Sequence, residues 1–298
     1  PSERHAYYYA ERAKGGAGLI ITEELSVHPT DHAYEKLIDA YKNDVLPGYK
    51  KITGMVHKYG AKIFAQLNHN GSQSTGMYNS APVWGASPIP DPMFREVPKE
   101  IDQIDIDELI NYYAKSAKLA QMGGFDGIEF QGSHSSILRQ FLSPYTNRRK
   151  DAYGGSLENR LRLVREVGQA VRETVGPDFC LGIRLSGEEF VDGGLTLPDV
   201  VEIARYIEKM GIFDYLNTSV GIATHFLYLV EGPMSLPPAY AVYMSSAIKQ
   251  AVNLPVITVG RIKDPNQAEQ VIRQGHADLV GMVRAQISDA HLVNKSFN

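Results

Sequence analysis

The chain has 298 residues, with 30 Lys and Arg against 34 Asp and Glu, for a formal net charge of -4. Hydrophobic residues make up 43% and charged residues 21%, a globular balance that excludes wholesale disorder, and so mild an acidity gives no sign of a nucleic-acid binder. No run reaches the roughly 18 to 20 apolar residues of a membrane span, and the sole cysteine, Cys180, excludes an intrachain disulfide, a zinc finger or an iron–sulfur cage built from these residues.

Pro1 stands first, without an initiator Met or an apolar leader, so the sequence reads as a segment of a longer, cytoplasmic protein. Residues 3–14 read as a helix. Short apolar runs at 17–23, 61–68, 125–131, 179–185, 213–219, 255–260 and 277–282 then read as strands buried on both faces. Between them, 106–122 carries apolar residues at helical spacing, and 157–175 follows Ser156 as a candidate N-cap. Residues 198–210 open on Pro198 and end before Gly211, and 239–252 and 265–274 repeat the scheme.

Strands alternating with helices predict a parallel sheet. The chain opens on a helix, so one further strand ahead of it would complete eight βα units. The expected fold is therefore α/β, a (β/α)8 TIM barrel that lacks its first strand in this chain, forming one domain over residues 1–298. An open doubly wound sheet is the alternative, although no GxGxxG opens a helix after a strand. The long connections 70–103, 187–196 and 221–238 all follow strand ends, where barrel enzymes build their sites.

Polar residues gather at those ends: Gln66, Asn68 and His69; Gln131 and His134; Arg184 and Ser186; Asn217 and Ser219; Arg261 and Arg284. Taken singly, each reads equally as a loop brace, a buried ion pair or a structural histidine. Their convergence on one barrel mouth is the informative feature. Gly260-Arg261 and Gly281-Met282-Val283-Arg284 each set backbone donors and a guanidinium after one of the last two strands, an arrangement suited to phosphate. No metal site is predicted: the nine histidines include no HxxxH pair with a third acidic ligand. Gly132-Ser133-His134-Ser135 lacks the G-x-S-x-G elbow of a serine hydrolase.

Several segments resemble the old yellow enzyme family, in particular the branch with 2,4-dienoyl-CoA reductase and trimethylamine dehydrogenase. They are 12–23 (RAKGGAGLIITE), 65–71 (AQLNHNG), 126–144 (DGIEFQGSHSSILRQFLSP), 147–160 (NRRKDAYGGSLENR), 182–186 (GIRLS), 259–264 (VGRIKD) and 276–289 (HADLVGMVRAQISD). The resemblance implies FMN at the barrel mouth, reduced by NAD(P)H. It implies Gln66 at the flavin pyrimidine edge, Arg184 near N1 and O2, and Gly260, Arg261, Val283 and Arg284 at the phosphate. His134 becomes the histidine that polarises a substrate, with Gln131 where the family has a His or Tyr. Ser136 stands where many ene-reductases carry a tyrosine acid. The larger members add a cysteine cluster and nucleotide-binding domains, so a 4Fe–4S centre and FAD belong only to a longer form. The implied activity is hydride transfer to an activated C=C bond of a small molecule. The alternatives are oxidative attack on an amine, which the resemblance of residues 88–98 (PIPDPMFREVP) to that branch favours, and a catalytically silent barrel scaffold. Neither a nucleic acid nor a membrane is expected as partner; a homo-oligomer is compatible with the sequence.

Overall fold

The computed structural model describes residues 1–297. Its strands are β1 (Leu19–Ser26), β2 (Ile38–Asp39), β3 (Lys62–Asn68), β4 (Trp84–Gly85), β5 (Lys99–Glu100), β6 (Gly127–Gly132), β7 (Cys180–Ser186), β8 (Tyr215–Ser219), β9 (Val256–Thr258) and β10 (Leu279–Val280). Eight of them form a sheet in the order β10-β9-β8-β7-β6-β3-β1-β2, every pair parallel. β4 and β5 pair separately inside the long segment after β3. The helices are α1 (Glu3–Lys14), α2 (Leu46–His57), α3 (Gln103–Met122), α4 (Ile137–Leu142), α5 (Leu157–Arg160), α6 (Arg162–Val175), α7 (Leu197–Met210), α8 (Leu227–Glu231), α9 (Val242–Lys249), α10 (Pro265–Arg273), α11 (Arg284–Ser288) and α12 (Leu292–Lys295). None is long and apolar enough to cross a membrane among the described residues.

Strand alternation sorts the core into two layers. Ile63, Ala65 and Leu67 of β3, Ile128 and Phe130 of β6, and Leu181, Ile183 and Leu185 of β7 join the helices in the main apolar cluster. The alternate residues face inward. Phe64, Tyr215 and Ile257, with Leu19, Ile21 and Cys180, fill the barrel floor. Two glycines make that floor possible: a Cβ at Gly182 would lie 2.0 Å from the Tyr215 ring, and one at Gly127 would lie 2.9 Å from Phe64. The two rings pack 5.8 Å apart.

α3 has the clearest local cause. Asp102 accepts from the N–H groups of Ile104 (2.9 Å) and Asp105 (3.2 Å), and Asp105 returns the bond to the Asp102 N–H at 2.9 Å. Such a cap is worth about 1 kcal/mol. α2 is a helix the sequence analysis left unassigned, and Pro47, Gly48 and Gly54 weaken its local helix propensity. Pro47 sits in its first turn, where it is tolerated. Tyr49, Ile52 and Val56 form a buried stripe that tertiary packing rewards.

The barrel is of the (β/α)8 type, with one side not joined by backbone pairing. Between β10 and β1 no strand pairing occurs among the described residues. The helical layer does come round: Asn294 donates its backbone N–H to Gly15 O (3.0 Å) and its side-chain amide to Lys14 O (2.9 Å), and His291 meets Glu11 at 2.8 Å. At the unpaired side Leu279 is 39% exposed and Val283 68%.

A buried ion pair braces the C-terminal face. Arg139 of α4 is 1% exposed and lies 3.1 Å from Glu189, which is fully buried. Glu189 also accepts from Ser143 Oγ (2.6 Å) and the Leu195 N–H (2.8 Å), so it ties α4 to the loop after β7. Replacing Glu189 with Leu would strand the guanidinium without a counter-charge. The expected loss is about 3 to 5 kcal/mol, to be read from urea unfolding midpoints; a midpoint within error of the parent would refute this bracing role.

Candidate active site

The inward residues above the floor are polar. Glu129 is fully buried and accepts three hydrogen bonds from two other strands: Gln66 Nε2 (2.7 Å) of β3, and Asn217 Nδ2 (2.8 Å) and Tyr215 OH (3.1 Å) of β8. Gln131 donates to Gln66 Oε1 at 3.1 Å and accepts from Ser133 Oγ at 2.5 Å. Gln131 Oε1 also accepts from the Ser133 N–H at 3.3 Å. The amides are thus oriented by the chain: Gln66 keeps one N–H and one lone pair for other partners, Gln131 one N–H.

Gln131 pairs in register with Arg184, and Arg184 with Asn217. Arg184 donates from Nη2 to Ser219 Oγ at 3.1 Å. His134 comes to the same hydroxyl: its Nε2 is hydrogen-bonded to Ser219 Oγ, and its backbone N–H donates to Ser186 Oγ at 3.2 Å. Ser219 Oγ accepts from Arg184 and has a second lone pair and a proton to share with His134 Nε2; when it gives that proton, the imidazole is the Nδ1–H tautomer. Burial, with the charges of Arg184 and Arg139 nearby, holds its pKa well below the usual histidine value. The ring is neutral, and its Nδ1 has no hydrogen-bond partner among the described residues.

His134 also has a positive φ of 50°. A left-handed conformation at a non-glycine residue costs of order 1–3 kcal/mol and persists where the surroundings enforce it, commonly at functional sites. Ser136 is spent: its hydroxyl accepts from the Arg139 N–H and caps α4. His69 is spent as well, its Nδ1 accepting from the Gly71 N–H (2.9 Å) and its Nε2 facing Thr30 Oγ1 (3.0 Å), with the ring stacked on Trp84.

The predicted phosphate residues follow the paired strands β9 and β10. Gly260 has φ 128°, and Arg261 φ 54°. Arg261 Nη1 donates to Leu236 O, and Arg284 Nη2 to Gly232 O at 2.9 Å. Both guanidiniums therefore lie against the loop after β8, and Val283 stands exposed beside them. Among the described residues no group of three His, Cys, Asp or Glu side chains is placed to hold a metal.

Among the described residues a buried donor, Arg184 Nε, and a buried acceptor, Asn217 Oδ1, lack hydrogen-bond partners at this mouth. Buried polar groups are nearly always satisfied, so this chemistry fits a polar ligand at the mouth. Sequence reasoning passed over Glu129 and Glu24. A carboxylate inside the apolar run 125–131 was the available signal for Glu129; Glu24 gave none, since its direction depends on a bulge in β1.

Residues 1–297 match the model of the NADH:flavin oxidoreductase / NADH oxidase family. The chain belongs to that family, the old yellow enzymes. It is 38% identical, over 99% of its length, to an N,N-dimethylglycine/sarcosine dehydrogenase of Chromohalobacter salexigens, and covers 43% of that protein. It is 34% identical to an NADPH dehydrogenase of Clostridium acetobutylicum, covering 98% of this chain and 84% of the relative. The structure of morphinone reductase in complex with tetrahydroNAD superposes with a TM-score of 0.84 at 25% identity, over 99% of this chain and 81% of that one. The chain spans less than half the length of the first of these relatives.

Asp31 offers a test of the electrostatics beside the mouth. It is fully buried, accepts from the Asn70 N–H at 2.9 Å, and has its pKa raised to about 8 by burial, with the charge of Glu24 adding to it. The folded chain holds this proton at neutral pH, whereas the unfolded chain releases it near pH 4. Its contribution to stability is full below about pH 4 and is lost as the pH rises toward 8. In Asp31→Asn the decline in stability between pH 5 and 8.5 should be shallower than in the parent. Urea midpoints at four pH values decide; parallel curves would rule out a proton held on Asp31.

Proposed function

We propose that the protein is an FMN-dependent oxidoreductase in which the barrel mouth brings an activated C=C bond of a small molecule to the flavin. FMN, when bound, takes hydride from NAD(P)H and passes it to that bond. The observation that carries the reading is the neutral His134, held by Ser219 beside Arg184, whose Nδ1 has no partner among the described residues and donates when it carries the proton. A substrate carbonyl oxygen gains negative charge as hydride arrives at the conjugated carbon, and a fixed donor there lowers the barrier.

The chain's own residues divide the remaining work. Gln66 would meet the pyrimidine edge of the flavin with its spare N–H and lone pair, and Arg184 would set a fixed cation near N1 and O2 through its unpartnered Nε. Gly260, Arg261, Val283 and Arg284 would hold the phosphate. Gln131 positions Gln66. The residue at 136 supplies no acid, so the proton for the second carbon comes from solvent or from a group other than Ser136. A 4Fe–4S centre would require cysteines beyond the single one of this chain, and FAD a further domain. The reading takes residues 1–298 as one domain, working in the cytoplasm where NAD(P)H is available.

A second reading, oxidation of an amine with hydride leaving an N-methyl carbon, is supported by the dehydrogenase relative and by the commitment of Ser136 to a helix cap, since hydride removal needs no acid at that position. Anaerobic addition of NAD(P)H to flavin-loaded protein, followed by enone or by amine, separates the two.

Arg284→Ala should weaken FMN binding tenfold or more, since a charge-assisted hydrogen bond is worth roughly 1.5 to 3 kcal/mol. Fluorescence titration of the apoprotein measures this, and an unchanged affinity would remove Arg284 from the phosphate site. His134→Ala should leave FMN affinity and NAD(P)H oxidation nearly intact. Enone reduction should fall about 100- to 1000-fold, the cost of one such donor. Stopped-flow records the two half-reactions separately; full rates in both would make His134 a structural residue.

A further inference from the structure

Leu19 and Ile21 of β1 face the barrel floor. Simple alternation would carry Glu23 inward and Glu24 outward. The register with β3 shifts between Ile21 and Glu24, so Glu24 comes level with Gln66. Paired residues of neighbouring strands project to the same face, about 5 Å apart, and Gln66 points inward to Glu129. The bulge thus turns a second carboxyl into the mouth. It stands one strand away from the amide that the flavin reading places at the pyrimidine edge.

Glu24 accepts from Tyr34 OH (3.0 Å), Asn68 Nδ2 (2.6 Å) and Asn70 Nδ2 (3.4 Å). These donors suit a carboxylate, and all three are neutral. Lys36 and His5 help to wall the cavity of about 550 Å³ that Glu24 borders. His5 lies 3.0 Å from Glu23, and Lys36 forms no ion pair among the described residues. Asp31 keeps its proton at neutral pH, and burial holds Tyr113 as a neutral phenol. Burial pushes the Glu24 carboxyl above the ordinary range, and its three hydrogen bonds draw it only partly back. Tyr34 is 43% exposed, so its hydroxyl links this carboxyl to solvent protons.

A carboxyl held by neutral donors alone changes its charge when the field around it changes. We propose that Glu24 is a redox-linked proton site, which takes up a proton when hydride enters the flavin mouth and releases it when hydride leaves. The proposal rests on the flavin reading and adds a control on the potential of that same mouth. Hydride brings two electrons and one proton, so the mouth gains one negative charge. The Glu24 carboxylate then binds one solvent proton, an O–H bond forms, and the added charge is offset. That O–H bond breaks and the proton returns to solvent when hydride passes to the acceptor. Repulsion between like charges this close, in partly buried surroundings, exceeds a tenfold effect on an equilibrium.

Midpoint potentials of the FMN-loaded full chain, measured against redox dyes from about pH 5 to about pH 9, test it. Ionised Glu24 opposes the added electrons. Glu24→Gln should therefore favour the reduced form tenfold or more over the parent at the alkaline end, about 30 mV for a two-electron couple. The two proteins should converge at the acid end, where the parent carboxyl already carries its proton. Between these limits the parent should take up more protons per two electrons than the variant. Asp31 and Glu129 are present in both proteins, so the difference between them isolates Glu24. Tyr34→Phe removes a donor from the carboxylate and should move the bend in the parent's curve to higher pH; an unmoved bend overturns the assignment to Glu24. Glu23→Gln should stay within twofold of the parent throughout. Parallel curves for the parent and Glu24→Gln, with FMN bound, overturn the proposal and leave the flavin reading standing. A chain that binds no FMN in direct titration overturns both.

Discussion

A fully buried carboxylate stands inside the barrel, and the mouth is built on the way its hydrogen bonds are satisfied. Glu129 would cost several kcal/mol if left unpaired. Its partners come from β3 and β8, one on each side of the β6–β7 pair: Gln66, Asn217 and the phenol of Tyr215. Each is held in one rotamer by that bond. Gln66 and Gln131 then hold one another, and the pairing of Gln131 with Arg184 carries the order across to β7. Gly182 matters for the same reason, because only a residue without Cβ lets the Tyr215 ring lie across β7 and reach Glu129.

Above that layer the site is held by strain and by single hydroxyls. His134 occupies a left-handed backbone conformation, with its N–H on Ser186 and its ring on Ser219. Ser219 serves both Arg184 and His134: it accepts from the guanidinium, and the direction of its bond to Nε2 goes with the imidazole tautomer. Beneath the loop that carries His134, the Arg139–Glu189 pair locks α4 against the segment after β7. Such a support lets a loop hold a donor without reorganising when charge develops, which is where electrostatic catalysis gains most.

The side between β10 and β1 follows a different logic. Helices α1 and α12 meet there, but the strands do not pair, and apolar residues such as Leu279 remain partly in solvent. The cavity behind them is lined by tyrosines of α1 and by the acidic pair Glu23 and Glu24. Glu23 lies 3.0 Å from His5, whereas Glu24 meets Tyr34, Asn68 and Asn70. The difference arises from a single extra residue in β1.

The sequence by itself determined the alternation of buried strands with amphipathic helices, and hence the parallel sheet, because burial on both faces imposes apolar runs that survive any detail of packing. Every strand it predicted lies within three residues of an observed one, and its motifs placed Gln66, Gln131, His134, Arg184, Arg261 and Arg284 at strand ends. Only the tertiary structure decided what those residues touch. Helix α2 formed despite two glycines and a proline, since a buried stripe outweighs weak local propensity. Ser136 became a cap and His69 a stacked brace, although their positions in the sequence suggested chemistry. Glu129 and Glu24 stayed invisible until partners more than forty residues away were brought against them. A side chain's direction and its hydrogen-bond partners depend on register, bulges and neighbouring strands, and these are properties of the assembled sheet that no local window of sequence contains.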